Sequence, residues 1–264
     1  MKKKTLYFLL ILSCLIIIIT FVFLNWKKNY DYDSKSEQRN DLLANEKQLT
    51  EIVDELLDDQ QLEEIKETVL STSIPKKINL TVPFTCQAPF ANWDDLHNEA
   101  CEEASILMLH HYLQSTELTP QQADQEIISL VNWQKENWGG HNDLPISKVA
   151  QLLTDFYGYD NVQVKYQFSL EDIKQELVLG HPVIIPVAGR QLPNPYYKTP
   201  GPLYHYLLIR GYQNGQFITN DSGTKRGKGF IYQQEIVWKV IHDLPIGGKE
   251  DILSGVKAML VINN

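Results

Sequence analysis

Residues Leu6 to Leu24, LYFLLILSCLIIIITFVFL, form an apolar run interrupted only by Ser13, Cys14 and Thr20. At about 1.5 Å of rise per residue, a helix of that length matches the roughly 30 Å hydrocarbon layer of a bilayer. A secretory signal peptide is the competing reading, but its apolar region is usually shorter and ends in small residues. Here Leu24 passes directly into Asn25-Trp26-Lys27-Lys28, and bulky apolar residues continue after Cys14, which disfavours lipid modification there. The expectation is an uncleaved single-pass anchor within residues 1–25. Lys2, Lys3 and Lys4 with the terminal amine outnumber Lys27 and Lys28, which places the N-terminus in the cytoplasm and the remainder outside the cell membrane. Trp26 and Tyr30 suit the outer interface.

Residues 26–77 read as an acidic, helical stalk or linker. From Ser34 to Thr72 the chain lacks Gly and Pro, and Leu42, Leu49 and Leu56 stand seven apart, a spacing that allows self-association as a short coiled coil. A solvated, partly helical linker fits the same pattern. Ser73-Ile74-Pro75-Lys76-Lys77 ends it, leaving 78–264 for a globular domain. With 43% hydrophobic residues the 264-residue chain has ample material for one core, and its formal net charge of −9 argues against a nucleic-acid partner.

Within that domain the stretch Val82 to Tyr112 carries the strongest local signal. Ala100, Ala104, Leu107, Met108 and His111 recur at spacings of three and four, which predicts a helix with one buried face. Asn98 is its expected N-cap, and Glu99, Glu102 and Glu103 crowd acidic charge into its start. Cys101 then lies in a first turn, where unpaired N–H groups stabilise a thiolate while Glu102 and Glu103 oppose it. A cationic histidine is needed to favour the thiolate. Position alone leaves an inert core cysteine as the competing reading.

Downstream, Pro120 to Trp133 and Pro145 to Tyr157 show helical periodicity, the second stopping at Gly158. Ser169 opens a further helix closed by Gly180. His181 to Val187 is a short apolar run that fits a buried strand, as does Tyr204 to Tyr212, and Ile78 to Val82 alternates like a strand. Asn214-Gly215 is a hairpin signal before Gln216 to Asn220. Helices first and strands afterwards indicate an α+β domain. His205 opens a strand after a loop long enough to wall a cleft, and the following hairpin carries Asn220 and Asp221. A thiol, an imidazole and a group that orients the imidazole are what acyl transfer through a thioester requires.

Val-Pro-Phe-x-x-Gln (Val82 to Gln87), Cys-Glu-Glu-Ala-Ser (Cys101 to Ser105), Gly-His-Pro-Val-Ile (Gly180 to Ile184), Tyr-His-x-x-x-Ile-x-Gly-Tyr (Tyr204 to Tyr212) and Asn-Asp-Ser-Gly-Thr (Asn220 to Thr224) occur in consistent order. The set resembles the papain-like cysteine peptidases related to bacteriocin-processing, double-glycine-cleaving enzymes. The resemblance implies a papain-like fold, with an N-terminal helical half carrying the cysteine and a C-terminal antiparallel sheet carrying His and Asp. It further implies Cys101 as nucleophile, His205 as general acid/base, Asp221 as its orienting partner and Gln87 as an oxyanion donor. Glu-Glu follows Cys101 where many relatives have Gly-Pro, and Ser222 stands where Pro often follows the Asp, so the resemblance carries the chemistry further than the substrate.

A two-residue hairpin loop would pair Gln213 with Gln216 and place Asn220 opposite Ile209, on the face shared with His205, with Asp221 on the other. A three-residue loop reverses this, so the orienting group is Asn220 by the simplest register and Asp221 by the resemblance, which one-residue bulges, common at such rims, would accommodate. Cys86 adjoins Gln87, and an oxidising exterior would permit its pairing with Cys101. His110 and His111 point to different helix sides, and no cofactor or metal is expected. The expected protein is a membrane-anchored extracytoplasmic thiol peptidase acting on a peptide or protein. The alternatives are a silent papain-like domain that binds a peptide or cell-envelope polymer, and a scaffold assembled through the stalk.

Overall fold

The computed structural model describes residues 74–263, so the expected anchor and stalk lie outside the described residues. Among the described residues, no helix is long and apolar enough to cross a membrane.

In chain order the elements are strand β1 (Lys77–Asn79), a short helix α1 (Asp95–Asn98), and helices α2 (Cys101–Leu113), α3 (Pro120–Trp138) and α4 (Ile146–Tyr157). Strand β2 (Val162–Lys165), helix α5 (Leu170–Val178) and strands β3 (Val183–Ala188), β4 (Tyr204–Gln213), β5 (Gln216–Asp221) and β6 (Lys228–Gln233) follow, then helix α6 (Gln234–Val240) and strand β7 (Met259–Ile262). The strands form one sheet in the order β2-β7-β3-β4-β5-β6, with β1 beside β4, and every pairing is antiparallel. The α+β class expected from the sequence is what folds. β1 is shorter than the Ile78 to Val82 expected, and β2, β6 and β7 were not foreseen.

Two helices start on capping boxes. The hydroxyls of Thr119 and Ser169 each accept from the backbone N–H three residues on, and the side chains of Gln122 and Asp172 return the bond. α3 runs five residues past the expected Trp133 because the first breaker is Gly139, which ends it in the left-handed conformation at φ 79°.

α2 differs from expectation in two ways. Its residues from Cys101 to Leu109 are all buried, so it is a central helix enclosed on every side by α3, α4 and β4 rather than an amphipathic one. Asn98 does not cap it: Asn98 ends α1, which Asp94 caps, and α2 starts after Ala100 with no side-chain cap. Glu102 and Glu103, expected in the first turn where the helix dipole favours acidic charge, are there but only 1% exposed.

The β4–β5 hairpin turns at Asn214 and Gly215, both at positive φ, as a type I′ turn requires. Gln213 pairs with Gln216 as expected, but Arg210 is an extra residue between Ile209 and Gly211. Beyond that bulge Asn220 stands opposite Leu208 and Asp221 opposite Leu207, so Asp221 takes the face that carries His205. The unbulged register, with Asn220 opposite Ile209, is thereby corrected. A second shift, at Gly229 in β6, follows on the other side of β5.

Candidate active site

Cys101, Gln87 and His205 line one cleft of about 1180 Å³. Its lining comes from Gln87 at the end of the Val82 to Gln87 strap, the stretch from there to the start of α2, Asp143 before α4, the loop into β4 with that strand's first residues, the loop after β5, and Lys249. The strap is held to the sheet at both ends. Asn220 Nδ2 donates to Pro83 O at 2.9 Å, and the backbone N–H of Gln87 donates to Ser222 O at 2.9 Å. Asn220 thus fastens the strap and does not touch the imidazole.

His205 Nε2 lies 2.9 Å from Asp221 Oδ1, and both residues are buried. The far carboxylate oxygen of Asp221 accepts from Asn194 Nδ2 at 2.8 Å, Tyr197 OH at 2.7 Å and Tyr232 OH at 2.6 Å, and Gly223 N–H reaches Oδ1 at 3.0 Å. Burial alone would raise the Asp221 carboxyl, but the bond and charge of His205 and the two tyrosine hydroxyls outweigh it and hold the pKa below the usual carboxylate value. Tyr197 also sets its ring edge-on against His205, with centroids 5.7 Å apart. A Cβ on Gly223 would sit 3.1 Å from His205 Cε1 and 2.9 Å from the Tyr197 ring, so only glycine lets that loop close over the pair. Asn194, Tyr197 and Tyr232 were not singled out from the sequence. The loop holding Asn194 and Tyr197 was read as long enough to wall a cleft without either residue being named, and Tyr232 lies in the unforeseen β6.

Cys101 opens α2, and its N–H is one of the first-turn donors with no intrahelical acceptor. Its Sγ donates to Glu102 Oε2 at 3.0 Å, while Glu102 Oε1 accepts from Leu144 N–H. Burial raises the thiol pKa well above its ordinary value, and the Glu102 charge and hydrogen bond, then Glu103 and Asp143, raise it further. The Glu102 carboxyl is itself raised, by burial and then by Glu103. The opposition of these carboxylates to the thiolate is therefore internal and close. Glu102→Gln keeps an acceptor for Leu144 and removes the charge. Its thiol is expected to titrate lower, giving roughly tenfold faster alkylation by iodoacetamide at neutral pH. An unchanged rate–pH profile would assign the high thiol pKa to burial and the other carboxylates, not to Glu102.

Gln87 is 4% exposed. Its Nε2 donates to the carbonyls of His97 at 2.9 Å and Asn98 at 3.0 Å, and its Oε1 has no partner among the described residues. Cys86 and Cys101 are both free thiols, so the disulfide entertained from the sequence is not formed. His110 bonds Tyr159 OH while His111 bonds Thr116 and Glu126, so the two rings serve separate packing contacts.

Residues 79–245 match the family model described as the Peptidase_C39 like family. No curated protein matches. Among solved structures, a protein described as a C39-like peptidase from Bacillus anthracis is 15% identical, with 72% of this chain and 99% of that one covered and a TM-score of 0.44. The peptidase domain of Streptococcus ComA, described as a bi-functional ABC transporter involved in a quorum sensing pathway, is 17% identical over 63% of this chain and 93% of that one, with a TM-score of 0.30. Because the family model spans more than half of the chain and runs from β1 through both walls of the cleft, the chain belongs to the Peptidase_C39 like family.

Proposed function

We propose that the protein is a papain-like cysteine peptidase, tethered by its N-terminal helix with the domain outside the membrane. The observation that carries this reading is the opening of Cys101 and the Asp221-bound His205 onto one cleft, in a chain of this family. Asp221 fixes the imidazole with Nε2–H toward the carboxylate, which leaves Nδ1 as the base for the thiol. The thiolate attacks the amide carbonyl, and His205 protonates the departing amine. Water, activated by the same ring, then hydrolyses the thioester. The Cys101 N–H is the backbone donor to the tetrahedral oxyanion. Gln87 is the side-chain donor, and its Nε2 would leave one of the carbonyls of His97 and Asn98 as the oxyanion forms.

One observation favours a second reading, a cleft that binds peptide without cutting it: the Cys101 proton is directed at Glu102. Alkylation separates the two. In the peptidase, iodoacetamide labels Cys101 quickly and His205→Ala slows labelling by about tenfold or more, because the imidazolium no longer stabilises the thiolate. Slow labelling that ignores His205 marks the silent cleft.

A further inference from the structure

The chain carries a net charge of −9, yet besides Lys249 four cationic side chains, Arg190, Lys198, Lys225 and Arg226, line the cleft that holds Cys101 and His205. All four are exposed. Among the described residues none of them belongs to an ion pair, in contrast to Lys165, Lys174 and Lys249. Two are pre-positioned. The Arg226 guanidinium lies 4.7 Å over the Tyr196 ring, and Arg190 Nε donates to Gly201 O at 3.2 Å. Tyr196 itself lines the cleft and is 44% exposed.

The charges are sorted by wall. Arg190 and Lys198 belong to the loop that leads into His205, and Lys225 and Arg226 to the loop that leaves Asp221. The acidic lining residues Asp95, Glu99 and Asp143 lie on the segments around the start of α2. Lys249 binds Glu99 at 3.1 Å and Asp143 at 2.9 Å, which leaves Asp95 as the acidic lining residue without an ion pair among the described residues. Low-dielectric walls focus such a field onto whatever enters the cleft.

We propose that the substrate is a peptide bearing acidic side chains on the carboxyl side of the scissile bond, docked against the wall formed by Arg190, Lys198, Lys225 and Arg226. This rests on the peptidase reading, and the chemistry of that reading fixes the direction. The amine that departs takes its proton from His205, so the portion of substrate beyond the scissile bond lies on the histidine side, where the cations stand. Arginine forks and lysine ammoniums over an exposed aromatic ring suit carboxylates on an extended chain.

The test separates binding from cutting. In the Cys101→Ala full chain, a fluorescent glutamate-rich peptide is expected to bind about tenfold or more tightly than a lysine-rich peptide of the same length. Added salt should weaken that binding, and the double substitution Lys225→Glu with Arg226→Glu should remove the preference. Equal binding of the two peptides, or a preference untouched by the double substitution, would overturn the proposal. So would displacement by a glycerol-phosphate polymer with no binding of the glutamate peptide, which would reassign the wall to phosphate. In the active protein, cleavage sites in a peptide mixture should be enriched in Asp and Glu after the cut, and the enrichment should vanish in the double variant. If acidic peptide binds with this selectivity but no Cys101-dependent cleavage occurs, the acidic preference stands and the peptidase reading fails. The alkylation rate of Cys101 is the control for an intact site in the double variant.

Discussion

Cys101→Ala is expected to abolish peptide cleavage, by about four to six orders of magnitude, while leaving the fold in place. The loss follows from the role assigned to the sulfur. The thioester splits amide hydrolysis into two smaller barriers, and without a nucleophile only binding and oxyanion stabilisation remain. Alanine is the best helix former, and the deleted thiol makes one side-chain hydrogen bond, to Glu102. Circular dichroism and thermal melting should therefore stay close to those of the parent. Cys86 is buried and cannot take over the attack. Turnover is measured as peptides released from a mixture by the full chain and its variant, and residual cleavage above about one percent would remove Cys101 from the chemistry.

Asp221 is the second position with a large expected effect, on stability as well as rate. Asp221→Ala leaves His205 Nε2, Asn194 Nδ2, the hydroxyls of Tyr197 and Tyr232 and the Gly223 N–H without their shared acceptor. A buried ionic partner removed in this way costs about 3–5 kcal/mol, read as a lower urea midpoint at neutral pH. Asp221→Asn fills the same volume but offers an amide to one side of the ring of donors. It is expected to lower kcat by about two to four orders of magnitude, because the imidazole loses the group that selects its tautomer. The acid behaviour has a definite sign. The folded pKa of Asp221 lies below its unfolded value, so its contribution is full above the unfolded carboxylate range and is lost as pH falls through the folded pKa. The stability difference between parent and Asp221→Ala should shrink on acidification from neutral pH. A constant difference would mean that Asp221 acts by packing and not through its charge.

The parts of the fold that were legible are those dictated by near neighbours. Asn214-Gly215 announces its turn because both positions need positive φ, and Ser169 with Asp172 announces a helix start because the two reciprocate each other's hydrogen bonds. The apolar run ending at Val187 and the strand from Tyr204 were legible from composition and length. β2 and β7 were not, since each is short and pairs with a partner distant in sequence, and β6 went unread although it pairs with the adjacent β5, its ladder shifted at Gly229. The depth of Glu102 and Glu103 was illegible for a related reason. Adjacent carboxylates at a helix start read as surface charge, and their burial depends on Leu144, which supplies an N–H to Glu102, and on Gln134, which supplies its amide to Glu103. At the site itself, Cys101 and His205 were readable as a pair from chemistry, and the resemblance named Asp221. The Asp221 donors come from the loop before β4 and from β6, where nothing local marks them.

The extra residue at Arg210 works as a phase shift in the hairpin. Ahead of it, the alternation of β4 and β5 runs as the turn dictates; past it, odd and even positions of β5 exchange sides. The chain thereby hands the imidazole a carboxylate and the strap a carboxamide, although the turn alone would have dealt them the other way round. A single codon lost from or added to either arm of this hairpin would swap those two neighbours without altering one residue that touches substrate. This hairpin is consequently expected to tolerate substitution along it better than any change in its length.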